Sequence, residues 1–232
     1  PRHWDWLRNW RIWDHFCDYF PITVIRECPL PPGRSYILPA HPHGISCIGI
    51  FGAFVTGARG AAGRDPRPRR DPKSDPRPRL QPCLAALEGL FRLPIYREYA
   101  LAAGLCPVSR RCLDAVLARG SRALLIVVGG AAEALEGTPG CHRVTLRRRR
   151  GFVRLALRHG ETLLNSGELL LDFGDPSAFP AVGTPLEVPR VPRPPPEVVA
   201  HFHALYVRRL RELFERHKVA CGVPPETPLL IV

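Results

Sequence analysis

Apolar residues along this chain fall into two periods. Ala123 to Val128, ALLIVV, is an unbroken aliphatic run closed by Gly129-Gly130, the pattern of a central strand buried on both faces. Ser35 to Leu38 predicts a second strand, which runs into the turn Pro39-Ala40-His41-Pro42-His43-Gly44. Glu168 to Phe173 predicts a third. Elsewhere the period is helical. Arg111 to Arg119 places Leu113, Val116 and Leu117 on one face, and Gly151 to His159 turns Phe152, Leu155 and Ala156 inward against Arg154 and Arg158. Pro196 to His217 spaces Phe202, Tyr206, Leu210, Leu213 and Phe214 along one helical face with arginines opposite. Ile45 to Val55, the longest apolar stretch, is too short to cross a bilayer and predicts a buried helix. Strands alternating with helices predict an α/β domain, a mixed sheet flanked by helices.

Two segments stand outside this pattern. Residues 64–79, RDPRPRRDPKSDPRPR, hold five prolines and no apolar residue, so nothing there can pack. An Arg/Pro-rich disordered insert over 59–82 is expected, dividing one domain into parts 1–58 and 83–232. At the other extreme, all four tryptophans (Trp4, Trp6, Trp10 and Trp13) fall near the N-terminus. They are interleaved with Arg2, Arg8 and Arg11, followed by Phe16, Tyr19 and Phe20, and closed by Pro21. Indole with arginine suits the headgroup zone of a membrane, because the ring is apolar with one polar edge. A Trp-rich helix packed on the core fits the same residues, and both readings stay open at this point.

Composition narrows the field. The chain has 232 residues, 45% of them hydrophobic, and a mean hydropathy of −0.08, which excludes a wholly disordered chain and a polytopic membrane protein. It begins with Pro1 and contains no methionine, so a fragment is expected, with any targeting or membrane segment lying outside it. The net charge of +12 suggests nucleic acid until it is mapped. Arg64 to Arg79 contributes +4 and Arg143 to Arg158 contributes +7, leaving a body near neutrality at +1. Two local patches meet phosphates of several kinds, of lipid headgroups or of a phosphorylated cofactor as well as of nucleic acid. The eight cysteines form no C-x-x-C pair and sit mostly beside apolar neighbours, which predicts buried free thiols.

Three motifs carry candidate chemistry. The His41-Pro42-His43-Gly44 turn follows a predicted strand and precedes an apolar helix, where α/β folds place active-site loops. Pro42 restricts His41 to extended backbone, so the two rings project differently. A histidine near neutral pKa can take a proton from an alcohol as the alcohol attacks an acyl carbon. The rival reading is a metal site, which needs further ligands; the other H-x-H pair, His201-x-His203, lies on the last helix and is expected at the surface. The second motif, Gly129-Gly130-Ala131-Ala132-Glu133, again ends a buried strand, with Glu133 able to orient a histidine or bind substrate hydroxyls. The third is the arginine run 147–150, a concentrated positive surface suited to phosphates.

Taken together these residues resemble the diacylglycerol O-acyltransferase 2 family, which includes monoacylglycerol and wax-alcohol acyltransferases. The resemblance rests on YFP (Tyr19–Pro21), HPHG (His41–Gly44), REY (Arg97–Tyr99), VGGAAEAL (Val128–Leu135) and RRGFVRLALRHG (Arg149–Gly160), in that order, and on the ending HALYVRRLRELFERHKVACGVP (His203–Pro224). LCPVS (Leu105–Ser109) and VVGGAAEAL are most similar to its diacylglycerol-using branch. The resemblance covers most of the chain outside 59–82 and 161–181, where the sequence departs from the family pattern. It implies a glycerolipid-acyltransferase-like fold, expected to be incomplete around the acyl pocket because of those departures.

The resemblance also implies transfer of a fatty acyl group from acyl-CoA, as co-substrate, to a neutral lipid alcohol, chiefly diacylglycerol, with no metal and no other cofactor. It implies an endoplasmic reticulum membrane protein that associates with lipid droplets, with a hydrophobic hairpin upstream, and it leaves room for a homo-oligomer. His43 is then the expected general base on the acceptor hydroxyl, with His41 shaping the loop or exchanging roles with it, and Glu133 the orienting carboxylate. Backbone N–H groups near Gly44 or at Gly129 and Gly130 would meet the developing oxyanion. Arg149 and Arg150 would hold CoA phosphates or anionic lipid. No acyl-enzyme is required, so no cysteine has a catalytic part. The competing classes are a catalytically inactive family member and a basic protein binding nucleic acid or anionic membranes. The second leaves the neutral body and the two glycine-bounded turns unexplained, so no nucleic-acid partner is expected.

Overall fold

The computed structural model describes residues 4–31, 33–41, 48–58, 80–130, 133, 142–170 and 178–232. Its centre is a seven-stranded sheet. In chain order the strands are β1 (Ile25–Arg26), β2 (Tyr36–Ala40), β3 (Gln81–Ala86), β4 (Leu105–Pro107), β5 (Arg122–Val127), β7 (Thr162–Leu170) and β8 (Ala178–Leu186). A separate parallel pair joins β6 (His142–Val144) to β9 (Leu229–Ile231). The spatial order of the large sheet is β1-β8-β7-β2-β5-β3-β4. Neighbours are parallel except for the antiparallel pair β7 and β8, which makes the sheet mixed, as expected.

The period-two alternation of the central strands feeds two separate cores. Tyr36, Leu38, Ala40, Ala123 and Leu125 point to one face, and Ile37, Leu124 and Ile126 to the other. The first face is covered by α1 (Asp5–Arg8), α2 (Ile12–Tyr19), α3 (Ile48–Ile50) with the π-helical turn Phe51–Val55, and α4 (Tyr96–Ala103), through Leu7, Cys17, Phe54 and Ala100. The second face is covered by α5 (Arg110–Leu117), α6 (Gly151–His159) and α7 (Pro196–His217), through Val116, Phe152, Ala156 and Tyr206. The result is three layers with β2 and β5 innermost. A Leu124→Ala or Leu125→Ala change there would cost about 2–5 kcal/mol in lost transfer energy and cavity.

Local chemistry sets the helix ends. Ser109 caps α5, its Oγ accepting from Cys112 N–H at 3.4 Å. Pro196 opens α7 where its missing N–H is harmless, and Arg216 and His217 sit in the last turn, favourable to the helix dipole. The ranges of α6 and α7 are those their periodicity predicts. Three expectations are corrected. The strand expected at Glu168–Phe173 starts earlier, at Thr162, because its first residues pair with β2 (Tyr36↔Thr162, Ile37↔Leu163). Its end beyond Leu170 lies outside the described residues. Ordered structure also begins before residue 83, since Gln81 and Pro82 already pair with Arg122 and Ala123.

The third correction concerns the Trp-rich segment, which packs on the core through Arg8 and Trp13. Arg8 is buried, not interfacial: its Nε donates to the Val55 carbonyl at 2.7 Å and its Nη2 to that of Phe54 at 3.3 Å. Both carbonyls lie at the end of the π-helical turn, where a cation is favoured. Trp13 packs edge-on against Phe16 and Phe51. Trp4, Trp6 and Trp10 face outward, 52%, 62% and 53% exposed. The six described cysteines are free, four of them buried. Among the described residues no helix is long and apolar enough to cross a membrane.

Candidate active site

Two of the three motifs leave the sheet side by side. Ala40 at the end of β2 pairs with Val127 at the end of β5, and Val128 N–H donates to the Ala40 carbonyl at 3.2 Å. Because the strands are parallel, His41 and the Gly129-Gly130 pair follow at the same end of the sheet. His41 continues the Ile37, Pro39 alternation and so turns toward the face covered by α6 and α7. It is 2% exposed, and its Nε2 lies 3.0 Å from the Tyr206 hydroxyl on α7. That hydroxyl also donates to the Pro39 carbonyl at 3.1 Å, and Ser166 Oγ of β7 donates to the same carbonyl at 2.9 Å. Burial pushes the Tyr206 phenol well above the usual tyrosine pKa, opposed by a hydrogen bond from Ser166 N–H and reinforced by the charge of Glu133. Tyr206 is therefore a neutral donor throughout the working range of pH.

The second turn is built around Glu133. Gly130 has φ +63°, a conformation that favours glycine. Gly129 is required by close approach: a Cβ there would collide with the Glu133 carboxyl. Glu133 is 4% exposed, and its Oε2 accepts from Thr145 N–H at 2.6 Å. Among the described residues its Oε1 has no hydrogen-bond partner. Burial raises the carboxyl to a pKa of about 7, opposed by the Thr145 N–H and by the positive charge of Arg149. A group poised near neutrality is suited to hold or release a proton.

The arginine run forms the third side. Arg149 N–H donates to the Leu146 carbonyl at 2.9 Å, closing a turn over 146–149, and Arg150 occupies the N-cap position of α6 without a side-chain capping bond. All four arginines are exposed. The turn is held from below by His203, whose Nε2 meets the Leu146 carbonyl at 3.1 Å. This overturns the expected surface position of His203, which is 6% exposed; it lies one turn before Tyr206, on the same buried face of α7. Burial holds its pKa below the usual imidazole value, with the Leu146 bond opposing, so it is a neutral donor. His201 is exposed.

The structure therefore gathers His41, Gly129, Gly130, Glu133 and Arg149 around one strand edge, with Arg150 at the adjoining helix start. His43 and Gly44, expected as the base and an oxyanion donor, lie outside the described residues. The partner of His41 Nε2 is Tyr206, and the partner of Glu133 Oε2 is Thr145, two residues that the motifs did not single out. Ser166 and Asn165 were also missed; Asn165 is buried, beside the irregularity in the β7–β8 register. A signal existed only for Tyr206, as the one hydroxyl on the apolar stripe of α7. Among the described residues no group of three or more His, Cys, Asp or Glu side chains could hold a metal ion.

Comparison with known proteins places this arrangement. A family profile described as diacylglycerol acyltransferase matches residues 1–177 and 170–232. The 2-acylglycerol O-acyltransferase 3 of Homo sapiens is 39% identical over 98% of this chain and 77% of its own length. The diacylglycerol O-acyltransferase 2 of Bos taurus is 36% identical over 98% of this chain and 73% of its own. The acyl-CoA wax alcohol acyltransferase 1 of Mus musculus is 36% identical over 94% and 77% respectively. These identities do not single out the branch that LCPVS and VVGGAAEAL resemble. Among solved structures, the 1-acyl-sn-glycerophosphate acyltransferase PlsC of Thermotoga maritima shares the fold, with a TM-score of 0.50 at 16% identity over 88% of this chain and 78% of that one. Matched from end to end by that profile, and folded as a mixed sheet between helical layers, the chain belongs to the diacylglycerol acyltransferase family.

Proposed function

We propose that the protein transfers a fatty acyl group from acyl-CoA to the hydroxyl of a neutral lipid alcohol, with diacylglycerol as acceptor and triacylglycerol as product. The observation that carries this reading is the pairing of the ends of β2 and β5, which brings His41 beside Gly129 and Gly130. His43 takes the acceptor proton as the hydroxyl oxygen bonds to the thioester carbon. The C–S bond then breaks, and the CoA sulfur leaves with the electron pair and receives the proton. N–H groups at Gly129 and Gly130, or near Gly44, meet the negative charge on the carbonyl oxygen. His41 holds the turn, Glu133 orients the reacting groups, and Arg149 and Arg150 receive the CoA phosphates.

Work at a membrane surface belongs to the same proposal. Trp4 and Trp6 stack at 5.9 Å and Trp10 lies 6.4 Å beyond. Trp4 N–H donates to the Ala102 carbonyl at 2.8 Å, which ties α1 to α4. Just ahead of α4, Ile95 is 86% exposed and has φ +66°, strain that a β-branched residue tolerates only when its surroundings impose it. Exposed tryptophans beside Arg11, with Leu93, Tyr96 and Tyr99, form a surface suited to the lipid headgroup zone. The endoplasmic reticulum and lipid droplets are the proposed locations.

Microsomes carrying the full chain, given labelled acyl-CoA with diacylglycerol, monoacylglycerol or fatty alcohol, test the reaction. The 39% identity to 2-acylglycerol O-acyltransferase 3 makes monoacylglycerol the rival acceptor, and relative kcat/KM decides between them. Loss of product in both His41→Ala and His43→Ala is expected; undiminished activity in both removes the mechanism.

A further inference from the structure

α7 crosses the sheet face below the strand ends and places His203 and Tyr206, one turn apart, against two different parts of the site. His203 holds the arginine turn through the Leu146 carbonyl. Tyr206 reaches the histidine turn from 165 residues away in sequence. Its ring is fully buried and packed edge-on by Phe152 at 4.9 Å, so the hydroxyl has little freedom to swing. Three groups converge on that hydroxyl: His41 Nε2 at 3.0 Å, the Pro39 carbonyl at 3.1 Å and Ser166 N–H. Pro39 and His41 bracket the end of β2. One phenol therefore grips both the backbone before the turn and the first ring within it.

We infer that Tyr206 is a positioning residue for acyl transfer: it holds the His41 ring through Nε2 and so sets the start of the His41-Pro42-His43-Gly44 turn. The inference rests on the acyl-transfer reading. With Nε2 engaged by the phenol, that nitrogen is not the one that reaches substrate. On this reading His41 acts by shaping the turn, with His43 as the proposed base. The phenyl ring alone supplies packing, so Tyr206→Phe separates the hydroxyl's work from that of the ring.

The test uses the full chain in microsomes, as wild type, Tyr206→Phe, His41→Gln and the double variant. Removing one partner of a buried hydrogen bond lowers kcat by roughly 10- to 100-fold, with KM for acyl-CoA within about twofold. If the hydroxyl acts through His41, the double variant is no slower than His41→Gln by more than about twofold. A wild-type kcat in Tyr206→Phe, or losses that multiply in the double variant, overturns the proposal. A second readout needs no turnover: the rate at which diethyl pyrocarbonate modifies His41, followed by mass spectrometry. Tyr206→Phe should modify faster, and an equal rate overturns the contact. Absence of acyl transfer by wild type to all three acceptors sinks the acyl-transfer reading instead, while the modification rate still judges the contact. If Tyr206→Phe loses its cooperative thermal transition, 4-fluorophenylalanine at position 206, which fills the hydroxyl's place without an O–H, is used instead; unchanged kcat and modification rate then overturn the inference.

Discussion

Replacing Gly129 with alanine puts a methyl group where the Glu133 carboxyl now lies. The carboxyl must move, and with it goes the bond at 2.6 Å from Thr145 N–H. Overpacking of this kind and a lost buried hydrogen bond together cost about 3 kcal/mol. Against that, alanine stiffens the unfolded chain and returns roughly 0.4–1 kcal/mol, since Gly129 does not need positive φ. The net loss is about 2 kcal/mol, which lowers Tm by roughly 4–8 °C for a chain of this size. In a Glu133→Gly background both groups that a Cβ at Gly129 would meet, the carboxyl and the Glu133 Cβ at 2.6 Å, are gone, and Gly129→Ala should then be neutral or slightly stabilising. Thermal and urea unfolding of wild type, both single variants and the double variant would measure this. The expected coupling is about 2–3 kcal/mol, and acyl transfer in Gly129→Ala should fall with stability because Glu133 is displaced. Equal destabilisation in both backgrounds, or none in either, would refute this placement of Glu133 over Gly129.

Other expectations follow from the same geometry. Burial raises Glu133 from 4.5 to about 7, so between those values the folded protein keeps a proton that the unfolded chain has released. Stability should therefore fall as pH rises through that window and level off above it, by at most about 3 kcal/mol; unfolding of Glu133→Gln should lack that slope, and parallel pH profiles would contradict it. Substituting Trp4, Trp6 and Trp10 together with alanine should weaken binding to phosphatidylcholine vesicles by more than about 100-fold while barely changing Tm, and unchanged sedimentation with vesicles would remove the docking surface. His203→Leu removes one of the two donors to the Leu146 carbonyl and leaves the Arg149 N–H, costing about 0.5–1.5 kcal/mol. It should raise KM for acyl-CoA more than it lowers kcat, and steady-state kinetics with acyl-CoA varied would show the reverse if the arginine turn plays no part in binding.

Much of this protein is written locally. The ranges of α6 and α7, the central strand at 122–127 and the strand ending before His41 follow from periodicity and end signals, which act over a few residues. The motifs at His41, Gly129 and Arg149 were visible for the same reason, as was the family they resemble. Strand parity even determines the face to which His41 turns, because side chains alternate strictly along β2. What it meets there is another matter. Tyr206 and Ser166 lie far along the chain, and only the placement of β7 beside β2 and the passage of α7 beneath them bring the three together. The same holds for Arg8, charged and flanked by tryptophans, yet spent on carbonyls more than forty residues away. Nor does periodicity set the pKa of Glu133, which depends on how completely the fold removes water from a carboxyl the sequence shows only as one glutamate among others. Short-range patterns choose elements and place reactive groups at their ends. Long-range packing alone decides which neighbours hold those groups and which of them keep a proton at neutral pH.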